Sequence, residues 1–132
     1  MSNIKKSKIT ELFGYKLKKT QHLLRLCMDE ALKQLNLTTP QYAVLAQLEL
    51  KPGISNADLA RAAFITPQTM HGIVSNLEKR DLVKRKNSPD HGRILSTELT
   101  KQGYVLVAQA HTMIQDVETD MFKTMNKKIK LS

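Results

Sequence analysis

Gln68, Thr69, His71, Gly72, Ser75 and Lys79 recur at spacings that gather them on one side of a helix. Met70, Ile73, Val74 and Leu77 fall on the other side and supply a face to press on a core. The polar side is short and rich in hydrogen-bonding groups. Gln68 can bond an adenine edge in two places, and Thr69 can bond a base or lay its methyl on thymine. Gly72 and Ser75 allow a close approach. Beyond this helix stand Lys84, Arg85, Lys86 and Arg93, cations suited to neutralising phosphate without reading sequence. Arg93 is the residue best placed to enter a minor groove, where a narrow A·T tract concentrates negative potential. Ser55 and Thr66 open helices, so each can cap its helix and face a phosphate. The implied partner is double-stranded DNA.

Positioning these side chains takes a particular set of elements. The spacing predicts a helix over 67–80, opened by Thr66 as N-cap and Pro67 at its first position. A short Ala-rich helix over 56–62, capped by Ser55 with Asp58 in its first turn, precedes it. Lys51-Pro52-Gly53 is a turn, and the helix before it, over about 40–50, is expected to start at Thr39-Pro40 and to bury Tyr42, Ala43, Leu45, Ala46 and Leu48. Short helices followed by a helix with a polar outer face make a helix-turn-helix. The segments 82–86 and 94–99 flank an Asn/Ser/Pro/Asp/Gly turn and read as a wing. A long amphipathic helix is expected from Ile9 to Leu35, and another from Lys101 to Met125 with Thr100 as its cap. The fold class is therefore mainly α with a small two- or three-stranded β wing. A winged helix-turn-helix (37–99) sits between an N-terminal arm and helix (1–36) and a C-terminal helix and tail (100–132), in one compact domain. The apolar faces of the two outer helices exceed what so small a core needs, which points to a homodimer.

The composition agrees with a polyanion partner. The chain has 132 residues, 21 Lys+Arg against 12 Asp+Glu, and a formal net charge of +9, a balance that favours nucleic acid. No apolar run approaches the roughly 18 residues a membrane span needs, and residues 1–16 lack the pattern of a signal peptide. A single Cys fits a reducing cytoplasm.

LNLTTPQYAVLAQL (35–48), ISNADLARAAFITPQTMHGIVSNLEKRDLVKR (54–85) and GRILSTELTKQG (92–103) together resemble the MarR family of transcription regulators, over a stretch from Phe13 to about Phe122. The resemblance implies a dimeric winged helix-turn-helix repressor on a pseudo-palindromic operator, released by a small, often phenolic or aromatic, effector or by oxidation. It also implies an acidic residue two positions before the wing arginine. His91 stands there instead, with Asp90 one earlier. The family carries one more helix beyond the position of Ser132, so dimerisation is expected to rest on the first and fifth helices. Its peroxide sensors place a reactive Cys near the start of the first helix. Cys27 lies near the end, on the apolar stripe, and is expected to be a buried, inert thiol.

Catalytic signatures are missing: no Gly-rich phosphate loop, nucleophile elbow or carboxylate pair appears. An enzyme is not expected, and neither is a cofactor. His22, His71, His91 and His111 lack partners at metal-ligand spacing, leaving open only a pairing of His22 with His111 across the helical layer. Two alternatives to an effector-controlled repressor stand: a constitutive DNA binder, and a protein-interaction module without an effector.

Overall fold

Thr38, Ser55, Thr66 and Thr100 punctuate the chain, because each hydroxyl accepts a backbone N–H that a helix start leaves without a partner. The computed structural model describes residue 8, residues 11–87 and residues 95–131. Helix α1 (Phe13–Leu32) continues into a 3-10 turn (Lys33–Leu35), and Asn36 ends it in the left-handed region at φ 53°. Helices α2 (Thr39–Leu50), α3 (Asn56–Ala62) and α4 (Pro67–Lys79) follow. Strands β1 (Val83–Asn87) and β2 (Leu95–Leu99) pair antiparallel with Arg85 opposite Thr97, and α5 runs over Lys101–Leu131.

Among the described residues the wing has two strands plus one further bridge. Ser55 pairs with Ser96, and the Thr97 amide donates to the Ile54 carbonyl. Thr97 is fully buried, and its hydroxyl donates to Asn56 Oδ1 at 3.1 Å, so the inward polar group at this joint has a partner.

The core lies where α2, α3, α4, the wing and α5 converge. Leu45, Leu48, Leu59, Met70, Val74, Leu77 and Val107 are fully buried within it. Truncating any of the leucines to Ala would cost about 2–5 kcal/mol. By contrast α1 buries only Leu32, and Phe13 (79% exposed), Leu17 (57%) and Leu26 (52%) stand in solvent.

Several local expectations needed correction. Helix α1 begins at Phe13, and Ile9, the expected start, lies outside the described residues. The cap of α2 is Thr38, not Thr39, because Thr38 and Gln41 form a reciprocal capping box, while the Thr39 hydroxyl donates to Asp29. Val44 joins the core although it lies outside the set expected for α2, and Val107 of α5 is fully buried in the same core. Helix α5 extends past Met125 to Leu131. Cys27 is exposed, not buried, because α1 has little packed against the face that carries it.

Candidate nucleic-acid interface

Helix α4 is set by its own first turn. Thr66 Oγ1 accepts from the Thr69 amide at 3.2 Å and donates to Thr69 Oγ1 at 2.9 Å, and Pro67 needs no partner for a missing N–H. With Met70, Val74 and Leu77 buried, the opposite face is fixed in rotation. Gln68, Thr69, His71, Gly72 and Lys79 are all exposed on it. Nothing lies within 4 Å of a Cβ built on Gly72, so the helix surface is open at that point.

Ser75 and Arg85 do not join this open surface. Arg85 Nη2 donates to Ser75 Oγ at 2.6 Å, and Arg85 Nε lies 3.8 Å from Glu78 Oε1, an ion-pair distance beyond hydrogen-bond reach. The Arg85 side chain is only 14% exposed. It fastens β1 to α4 instead of reaching outward. The Lys84-Arg85-Lys86 run reads as a single cationic patch, but side chains of a strand alternate between faces. Lys84 and Lys86 therefore point out where Arg85 points in. Lys86 Nζ lies 3.3 Å from Glu98 Oε2, a surface pair worth about 0–1 kcal/mol. Lys84 is exposed and in no ion pair among the described residues. Arg93, with Asp90 and His91, lies outside the described residues.

Ser55 is half-buried, and its hydroxyl accepts from the Asp58 amide at 3.2 Å. Asp58 is exposed and pairs with Arg61 one turn on. The Arg61 hydrogen bond, the Ser55 hydrogen bond and the Arg61 charge hold its carboxyl below the usual carboxylate range.

Three features were missed. Phe64, 97% exposed, occupies the left-handed region at φ 57°. Its amide reaches the Arg61 carbonyl at 3.3 Å, and the Ile65 amide reaches the Ala60 carbonyl at 2.9 Å. That is the Schellman ending of α3, in which Gly is the usual residue. The second is Arg80, bonded to the Asn36 carbonyl at 2.8 Å and the Leu35 carbonyl at 3.2 Å. The third spans α2 and α5. His111 Nδ1 is 2.6 Å from the Tyr42 hydroxyl, and His111 Nε2 is 2.9 Å from Glu49 Oε1. An ionised carboxylate only accepts, so Nε2 carries the proton and, in the neutral ring, Nδ1 accepts from Tyr42. Burial, then the charges of Glu118 and Glu49, raise the Tyr42 pKa above its ordinary 10.0. His111 thus pairs with Tyr42 and Glu49, and His22 is exposed on α1. Among these features only Phe64 left a local signal, a bulky residue where a helix-ending Gly is ordinary.

Comparison with known proteins covers the same ground. The MarR family model matches residues 35–94. An HTH-type transcriptional repressor of Mycobacterium tuberculosis is 37% identical over 102 residues, covering 77% of this chain and 73% of that protein. Among solved structures, the transcriptional repressor CouR bound to a 23-mer DNA duplex superposes with a TM-score of 0.81 at 27% identity, over 98% of this chain and 94% of CouR. A Mycobacterium tuberculosis MarR family protein in complex with salicylic acid gives 0.68 at 32% identity, over 89% and 96%.

Proposed function

Because the chain belongs to the MarR family of transcription regulators, we propose that it acts as a homodimeric repressor whose two α4 helices read the half-sites of a pseudo-palindromic operator. The observation that carries this reading is the exposed polar face of α4, fixed opposite the buried Met70, Val74 and Leu77. In that role Gln68, Thr69, His71 and Gly72 meet base edges in the major groove, and Lys79 and Lys84 meet phosphates. Lys86 joins them by exchanging Glu98 for a phosphate, and Arg93 enters the adjacent minor groove. Ser55 and Thr66 present their helix starts to the backbone. Ser75 and Arg85 support the reader from behind. The exposed apolar residues of α1, with Tyr104, Val105 and Phe122 of α5, supply the surface for a second copy. Two readers on one face of the duplex must then stand about 34–36 Å apart.

A small aromatic effector deepens the reading, supported by a relative at 32% identity solved with salicylic acid. Its site is proposed where α1 and α5 meet the winged unit. Binding there shifts the population toward a spacing that no longer matches the operator.

The test is titration of a palindrome from the gene's own promoter across a range of salt, beside an unrelated duplex. Tighter binding to the palindrome is expected, and its loss in Gln68→Ala and Arg93→Ala. If both substitutions leave that preference intact, the assignment of the reader fails. Salicylate should raise the melting temperature and release the operator together. A rise without release would leave a constitutive DNA binder.

A further inference from the structure

A polar side chain at the end of α4 is turned to backbone carbonyls at the end of α1. Arg80 is the C-cap of α4 and is half-buried. Its Nη1 donates to the Asn36 carbonyl at 2.8 Å and its Nη2 to the Leu35 carbonyl at 3.2 Å. These carbonyls close the 3-10 turn that extends α1, at the point where Asn36 turns left-handed and the helical ladder stops. The C-terminal ends of helices carry partial negative charge. The end of α1 with its 3-10 extension therefore meets a guanidinium carried by the C-cap residue of α4. On the neighbouring turn, Gln41 Nε2 of α2 donates to Asn76 Oδ1 of α4 at 3.0 Å. The planar fork of Arg bridges two acceptors at a set angle, which the single ammonium of Lys cannot do.

This link joins two parts with different duties. Helix α1 carries the unpaired apolar face that, on the reading above, spaces two copies. Helix α4 carries the reading side chains. We propose that Arg80 is a positioning residue for operator recognition. It transmits the setting of the dimer arm to the reading helix and makes no contact with DNA itself. The inference rests on the DNA-reading assignment and adds to it the element by which the arm controls the reader. An effector that moves α1 would act on α4 through these two hydrogen bonds.

The experiment measures binding of wild type, Arg80→Lys and Arg80→Met to the promoter palindrome and to an unrelated duplex, each across a range of salt. Arg80→Met should weaken palindrome binding at least tenfold while its affinity for the unrelated duplex and the salt slope stay unchanged. Arg80→Lys keeps the charge without the bridge and should fall between. A nitroxide on Gly72→Cys in a Cys27→Ser background, measured without DNA, reads the distance between the two α4 helices. That distribution should broaden in both Arg80 variants. Palindrome binding within twofold of wild type, or an unbroadened distribution, overturns the proposal. So does a salt slope that falls by about 0.9 per protomer, since that marks a lost phosphate contact. Should Arg80→Met fail to fold, Arg80→Lys carries the comparison by the same criteria. A wild-type protein with no preference for the palindrome refutes the DNA-reading assignment, while the label distance still decides whether Arg80 sets α4.

Discussion

Gly103 offers a test of how α5 is seated on the winged unit. It lies in the first turn of α5, and its amide donates to Thr100 Oγ1 at 3.1 Å. The Thr100 amide in turn donates to the Leu82 carbonyl at 3.1 Å, and its hydroxyl to the Asp81 carbonyl at 2.6 Å. The chain entering β1 is thus held tightly against the start of α5. A Cβ on residue 103 would fall well inside 3.0 Å of the Leu82 carbonyl oxygen, 3.2 Å from the carbonyl carbon and 3.3 Å from Leu99 Cδ2. The obstacle is backbone, so no side-chain rotation relieves it. Shifting α5 away would strain a hydrogen bond worth about 1 kcal/mol and disturb packing at a cost of about 1–3 kcal/mol. Ala is preferred to Gly in a helix by about 1 kcal/mol, which offsets part of this. Gly103→Ala should therefore lose about 1–3 kcal/mol in urea unfolding followed by circular dichroism. Gly14→Ala is the control, since nothing lies within 4 Å of its Cβ, and it should gain up to about 1 kcal/mol. Both are compared at one protein concentration, because association would shift the midpoint. Equal or greater stability of Gly103→Ala refutes the seating argument.

Phe64→Gly should stabilise the chain by about 0.5–1 kcal/mol, because Gly occupies the left-handed region without the Cβ penalty; a lower urea midpoint would mean that the exposed ring contributes more than its strain costs. Tyr42, with its folded pKa raised, contributes stability that is complete below 10.0 and is lost as pH rises through the folded pKa. Urea midpoints should therefore fall on that alkaline limb in wild type, and Tyr42→Phe should remove this part of the pH dependence while also losing the bond to His111. In a double-mutant cycle, Ser75→Ala and Arg85→Met should couple by about 1 kcal/mol or more; a coupling near zero would place the Arg85 guanidinium elsewhere.

What the sequence disclosed depended on range. The caps at Ser55, Thr66 and Thr100 were legible because a hydroxyl and the amide it accepts lie three residues apart. Even there, adjacent Thr38 and Thr39 both suit Pro40, and only the reciprocal bond to Gln41 decides between them. Periodicity found Met70, Val74 and Leu77, since α4 has one buried side. It failed for Val44 because α2 is packed on several sides, by Val44, Leu45 and Leu48 together with the half-buried Tyr42 and Ala46, and a stripe rule presumes one. The Arg80 bonds to Asn36 and Leu35 and the Tyr42–His111 pair join positions far apart in the chain, where no local pattern marks either member. Gly103 reads as any helical glycine until the Leu82 carbonyl is placed against it.

The cations show why a charge total can point to a polyanion without placing the side chains. A formal charge of +9 favours a polyanion wherever the charges lie. Which of them can reach phosphate depends on alternation and on competing acceptors. Arg85 is turned inward to Ser75, and Arg80 is committed to two carbonyls. Lys86 is held by Glu98 in a solvent-screened pair that a phosphate can displace. Releasing Arg85 would mean breaking a hydrogen bond to a charged donor, worth about 1.5–3 kcal/mol. On the proposed reading, β1 therefore offers phosphate two cations, Lys84 and Lys86, and not three. Arg85 and Arg80 instead tie α4 to β1 and to the end of α1, so on the proposed reading part of the basic charge serves recognition through geometry and not through attraction.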